Sequence, residues 1–271
     1  MTQASREWNS EAYHRVSRPQ FEWGVKVLER LPLRGDETVA DAGCGSGKVT
    51  AKLLERLPRG RVVAMDLSEN MLQTAREHLL RSFPGQVLFI AADLHEIPLD
   101  GLLDGVFSTA AFHWLPDHDR LFRSLVRALK PGGWLEAQCG GGPNLARVRE
   151  RTITLMAEPQ FAAFFEGWTP TWQYPDDVTT ANRMHHAGFV AIKTWLEEQL
   201  TPLANAAEYK EFLATVTLHR HIERIPDSGL RERFMDELVR QAAADSPPFT
   251  LDYWRLNLSG RKQGRTATPR R

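Results

Sequence analysis

The sequence predicts a doubly wound α/β fold built on a mostly parallel sheet. Three observations predict it. Short, nearly continuous apolar runs recur between about residues 38 and 139, helical patterns with one apolar face separate them, and a glycine-rich loop joins the first run to the first helix. Strands buried on both faces need such apolar runs, and strand–helix–strand repeats close through right-handed crossovers into a parallel sheet.

Five runs read as strands in order: Thr38 to Ala42, Arg61 to Asp66, Gln86 to Ile90, Leu103 to Ser108 and Gly133 to Gln138. Between the first two, Lys48 to Arg56 sets Val49, Leu53 and Leu54 on one helical face. After the second, Ser68 to Leu80 aligns Met71, Leu72, Ala75 and Leu79, with Ser68 as the N-cap. Lys130-Pro131-Gly132-Gly133 reads as a break before the fifth strand, and Gly140-Gly141-Gly142-Pro143 as an exit from the sheet. Leu145 to Gln173 then reads as helical and aromatic, and Asp177 to Ala187 as a helix closed by Gly188. Val190 to Leu200 supplies a sixth strand and Phe249 to Leu258 a seventh, with helices at Ala204–Val216 and Ser228–Ala244 between them. The chain therefore divides into an N-terminal helical segment (1–34), a ligand-binding core (35–140), helical insertions with the remaining strands (141–259) and a frayed basic tail (260–271).

Composition narrows the class. Hydrophobic residues make up 42% and charged residues 25% of 271, and the formal net charge is +0. That balance gives no footing for a polyanionic partner, so no nucleic acid is expected. Only two cysteines occur, Cys44 and Cys139, and no Cys/His cluster has metal-ligand spacing, so neither a disulfide framework nor a bound metal is expected. With no apolar h-region behind a basic start and no membrane-length apolar run, the reading is a soluble cytoplasmic protein, monomer or homodimer.

Val39-Ala40-Asp41-Ala42-Gly43-Cys44-Gly45-Ser46-Gly47-Lys48 carries the chemistry. Glycines after a strand and before a helix permit a tight turn and let a ligand approach the backbone. Asp66 closes the second strand ~20 residues on, where a carboxylate accepts from both ribose hydroxyls of an adenosine. NAD and S-adenosylmethionine (SAM) both carry that ribose. The dinucleotide pattern wants a third glycine where this chain has Lys48, and Asp41 beside the loop would repel a pyrophosphate. The same carboxylate favours the ammonium of SAM. Asp93, after the third strand, is placed to accept from the adenine amine, and the small residues Ser108 to Ala111 let a ligand pass close to the fourth strand.

At these residues the chain resembles class I SAM-dependent methyltransferases. "VADAGCGSGKVT", "VVAMDLSENML" and "AADLHEIPL" are similar to that family's loop, ribose and adenine segments, and "FHWLPDHDRLFRSLVRALKPGGWL" to its fourth-to-fifth strand stretch. The nearest flavour is the small-molecule group of trans-aconitate and juvenile-hormone acid methyltransferases. The resemblance implies a Rossmann-like sheet of seven strands with the last antiparallel, and a helical lid after the fifth strand and near the C-terminus. It assigns the cofactor to Tyr13, Asp41, Gly43, Cys44, Gly45, Gly47, Asp66, Leu67, Met71, Ala92, Asp93, Leu94, Ala110 and Trp114. Trp8, His113, Trp168, His219, Arg220 and Trp254 are the candidate substrate contacts. Arg220 stands one step along from the family's lid arginine, about a quarter turn around a helix.

The implied reaction is methylation of a small molecule, first a carboxylate, with S-adenosylhomocysteine released. The alternatives are a phenol, amine or carbon centre of a natural-product or lipid-like substrate, or a SAM-binding cyclase of the same fold. A carboxylate is ionised at neutral pH and needs no base, whereas the other acceptors would call on His113, at the mouth of the sheet. In the bland reading His113 bonds the backbone at a strand end.

Overall fold

The computed structural model describes residues 18–264. In chain order they form α1 (Arg18–Leu28), β1 (Thr38–Ala42), α2 (Lys48–Glu55), β2 (Arg61–Asp66), α3 (Glu69–Leu79), β3 (Val87–Ala91), β4 (Leu103–Thr109), α4 (His118–Ala128) and β5 (Leu129–Gly140). Then come α5 (Ala146–Met156), α6 (Ala162–Phe165), α7 (Asp177–Ala187), β6 (Phe189–Pro202), α8 (Ala206–Phe212), α9 (His219–Glu223), α10 (Ser228–Ala243) and β7 (Thr250–Lys262). The 7 strands make one sheet, β3-β2-β1-β4-β5-β7-β6. β1 to β5 pair in parallel, and β7 runs antiparallel to both its neighbours. The predicted sheet is the one observed.

Alternation along each strand separates two cores. Val39, Val62 and Phe107 join Val27, Leu53, Leu54 and Leu79 on one face. Their neighbours Ala40, Val63 and Val106 join Leu121, Phe122, Leu125 and Met184 on the other. Each Phe or Leu so buried contributes roughly 1.5–3 kcal/mol over its exposed state. A third cluster, with Phe161, Phe212, Phe234, Leu238, Leu251 and Tyr253, ties α5, α6, α8 and α10 to the start of β7. These helices make a cap with a hydrophobic core of its own.

Three boundaries differ from expectation for physical reasons. Lys130-Pro131-Gly132-Gly133 does not precede β5 but lies inside it as a bulge, since Leu129 pairs with Leu103 while Trp134 already pairs with Gly105. Gly132, at φ 80, takes the left-handed backbone that such a bulge needs. The aromatic segment is helical only to Phe165, because Gly167 (φ 65), Pro170 and Pro175 break the stretch beyond it. The supposed tail begins as strand: Gly260 to Lys262 continue β7, where Arg261 pairs with Trp134 and Lys262 with Phe189.

The Trp134 ring lies across Gly105, and a Cβ there would sit 2.1 Å from its six-membered ring. Gly105→Ala is therefore expected to cost about 1–3 kcal/mol, read as a lower urea midpoint with unchanged slope. Trp134→Leu in the same chain should recover part of that loss.

Candidate active site

β1 and β4 are neighbours, but the helix after β1 covers one face and the helix after β4 the other. Their loops diverge and leave a crevice at the strand ends, the usual ligand position in open α/β sheets. The turn after β1 is fixed by the Met65 carbonyl of β2, which accepts the N–H groups of Gly43 (2.8 Å) and Cys44 (2.9 Å). Gly43 has φ 82, and a Cβ on it would meet the Ala111 Cβ at 2.3 Å. Gly45 differs: among the described residues its Cβ direction meets nothing within 4 Å. Gly47 lies behind, as the left-handed N-cap of α2 packed on Ala75.

Asp66, ending β2, is oriented by two backbone donors, Gly45 to Oδ2 and Ser68 to Oδ1, each at 2.9 Å. Asp93 caps the turn Leu94–Glu96, accepting the His95 N–H at 2.9 Å, and lies 2.7 Å from His95 Nδ1.

A cavity of about 140 Å³ runs along these strand ends. It gathers Gly43, Gly45, Asp66, Leu67, Met71, Ala92, Asp93, Leu94, Ala110 and Trp114 from the predicted cofactor set. His219 and Arg220 join from the cap. Just before Arg220, Leu213–Thr217 forms a π turn, with the Leu218 N–H on the Leu213 carbonyl at 2.7 Å. Such a turn absorbs an extra residue and rotates the helix after it. The terminal Nη2 of Arg220 is buried without a hydrogen-bond partner.

Asp41 and Cys44 line a smaller space, about 60 Å³, on the far side of Gly43 and Gly45 and beside Gln20 and Phe21. The Asp41 carboxylate, bonded by Thr50 Oγ1 at 2.7 Å, is pushed up to about 7 by burial, with the nearby Asp66 adding to the effect. Burial also raises the Cys44 thiol, with help from both carboxylates. His113 lines a third space, about 30 Å³, that meets the main cavity at Ala110 and Trp114. Its Nδ1 accepts the Gly140 N–H at 3.2 Å, and burial with the Arg255 charge holds it well below the usual histidine range. The neutral ring therefore carries its proton on Nε2, ready to donate rather than to abstract.

Two aromatic candidates stand elsewhere. Trp168 packs edge-on against His221 at 4.8 Å, and Trp254 points to the opposite face of β7 from Tyr253 and Arg255; neither lines these three spaces. Tyr13 and Trp8 lie outside the described residues. Sequence reasoning missed Thr171 in the main cavity, and Gln20, Asn144, Tyr174 and Arg255 in the third. Arg255 had a legible signal, a charged residue set between the apolar Trp254 and Leu256 of a strand run. Among the described residues no group of His, Cys, Asp and Glu is arranged to hold a metal ion. No helix among them is long and apolar enough to cross a membrane.

Residues 39–133 match a family described as a methyltransferase domain. The chain is 39% identical over 131 residues to a trans-aconitate 2-methyltransferase of Azoarcus sp. (strain BH72), covering 48% of this chain and 50% of that one. It thus spans about half the length of the curated relatives it matches. Among solved structures it resembles phosphoethanolamine N-methyltransferase 2 of Haemonchus contortus in complex with S-adenosyl-L-methionine, at TM-score 0.60 and 19% identity, over 94% of this chain and 56% of that one. It also resembles the [4+2]-cyclase SpnF, at TM-score 0.58 and 18% identity, over 90% and 82%. At such identities the likeness is one of fold.

Asp41 yields a pH prediction for the ligand-free protein. Its folded pKa lies above the unfolded one, so its contribution is fully present below about pH 4 and lost as pH rises through about 7. Asp41→Asn should remove that dependence and, at pH 8, raise stability by on the order of 2–4 kcal/mol. Urea unfolding of both proteins from pH 4 to 8 reads it.

Proposed function

We propose that this chain, which matches a methyltransferase domain over residues 39–133, is a class I SAM-dependent methyltransferase that methylates a carboxylate of a small acid and releases S-adenosylhomocysteine. The observation that carries the reading is the continuity of one cavity from Asp66 and Asp93 at one end to Trp114, His219 and Arg220 at the other. An adenosine anchor and a cationic mouth share a single space.

The donor and acceptor set fits SAM. Gly45 offers bare backbone where a ribose would approach, and the Asp66 carboxylate, already aimed by Gly45 and Ser68, accepts hydroxyls. Asp93 and the apolar Leu67, Met71 and Leu94 suit an adenine, with its amine toward the carboxylate and its faces between side chains. Asp41 stands beyond the loop, where an ammonium would restore the ionised form that burial disfavours. When bound, SAM supplies a methyl group already activated by the sulfonium charge. The protein's task is alignment and exclusion of water.

Arg220 and the carboxylate reading belong together. A guanidinium nitrogen buried without a partner is costly, and an incoming carboxylate offers a charge-assisted, two-point bond. A carboxylate needs no base, consistent with a His113 whose free nitrogen already bears a proton. The names of the curated relatives, trans-aconitate 2-methyltransferases, support the same acceptor chemistry.

Two outcomes test this function. At a hundred times its dissociation constant SAM should add roughly 2.7 kcal/mol of stability, and Asp66→Ala should abolish the accompanying rise in melting temperature. With methyl-labelled SAM and trans-aconitate, label should appear in a base-labile ester with one S-adenosylhomocysteine per ester. Arg220→Ala should lower kcat/KM at least tenfold. Transfer to macromolecules alone would exclude the small-acid reading.

A further inference from the structure

Arg220 is the cation on which the carboxylate reading depends, yet it stands on a short element of the cap. α9 has 5 residues, His219–Glu223, and follows the π turn directly. A helix of that length is unstable by itself, so its direction comes from packing.

Two ring contacts supply that packing, one on each side of Arg220. His219 meets Trp114 edge-on at 5.9 Å. His221 lies on Trp172, with ring centroids 4.5 Å apart and planes 27° from parallel. Trp168 closes the edge of the same imidazole at 4.8 Å. The Trp172 indole also donates to the Thr217 carbonyl at 3.3 Å. One side chain thus grips the π turn by its backbone and α9 by its ring.

The grip reaches the sheet. Gln173, next in sequence, donates its N–H to the His113 carbonyl at 2.9 Å, just beyond β4. Thr171, on the other side of Trp172, lines the main cavity together with Arg220. Thr171 and Arg220 therefore face the cavity, while Trp172 and His221 pair behind them and line none of the three spaces. His221 is 1% exposed, and neither ring nitrogen has a hydrogen-bond partner among the described residues. Burial, helped by His219, pushes it down to about 3, so near neutral pH the ring is an uncharged plate.

We propose that Trp172 and His221 are positioning residues for acid recognition: their stack, tied to the strand ends through Gln173, holds the Arg220 guanidinium at the cavity wall. The assignment rests on the carboxylate methyltransferase reading. Trp172 touches neither cofactor nor acid and acts only through Arg220. Its loss therefore matters only while Arg220 is present.

A double-mutant cycle reads that coupling. Calorimetry at pH 7.5 measures S-adenosylhomocysteine on each protein, then trans-aconitate on the saturated protein. Trp172→Leu should keep its S-adenosylhomocysteine affinity and lose trans-aconitate affinity on the order of tenfold. In the Arg220→Ala background the same substitution should change trans-aconitate affinity by less than about twofold. His221→Ala should behave as Trp172→Leu does, and His221→Phe, which keeps a flat ring, should recover most of the loss. A crystal structure of Trp172→Leu without acid gives an independent reading, in which Arg220 should have left the cavity wall. If Trp172→Leu does not fold, the two His221 variants decide by the same cycle and the same structural comparison. Equal losses in both Arg220 backgrounds, an unchanged affinity, no recovery in His221→Phe, or an unmoved Arg220 each overturns the positioning role. A wild type that does not bind S-adenosylhomocysteine overturns the methyltransferase reading instead. One that binds trans-aconitate no better than Arg220→Ala does overturns the carboxylate reading, and the variant structure then decides the positioning role.

Discussion

The close approach of Gly43 to Ala111 is the constraint on which the site depends. It joins the loop after β1 to the loop after β4 at the point where the helices depart to opposite faces. A side chain on Gly43 would wedge the two loops apart, since its Cβ would lie 2.3 Å from that of Ala111. With the loops in contact, Ala110 at φ 56 becomes the wall shared by all three spaces of the site. The Met65 carbonyl then locks the turn by taking two successive amides. Ligand geometry is thus set by backbone contacts that need small residues, and only afterwards by the carboxylates around them.

Charge is distributed over that frame with a clear polarity. Asp41, Asp66 and Asp93 stand on the side of β1, β2 and β3, and Arg220 and Arg255 on the side of the cap and β7. The site is thus bounded by walls of opposite sign. Both walls hold groups that are costly without a ligand: a carboxyl raised by burial, and an arginine nitrogen without a partner. Functional sites commonly keep such unfavourable local chemistry because ligands relieve it.

Much of this was legible. β1 and β2 fall on the expected residues because an apolar run bounded by turn residues has few alternatives, and Ser68 caps α3 through its hydroxyl as its residue type suggests. The segments that line the main cavity were legible for the same reason, being clustered at strand ends. The bulge in β5 was not, because Pro and Gly read locally as a break while cross-strand pairing on both sides carries the strand through them. Nor was the placement of Trp254 and Arg255. Strand residues alternate faces, so the aromatic residue stands on the face of β7 away from these spaces and its charged neighbour on the face that lines one of them.

By itself the sequence determined the order of elements, the doubly wound sheet and the glycine-rich turn after β1, because periodicity and turn chemistry act over a few residues at a time. Only the tertiary structure decided which charges meet. Arg255 faces Gln138 across 117 residues and Gln138 faces Asn257 across 119, distances set by the antiparallel register of β5 and β7. Arg220 lines the cavity just after a π turn, Leu213–Thr217, that leaves no mark in composition. Contacts of that kind depend on long-range pairing and helix phase, which local patterns do not encode.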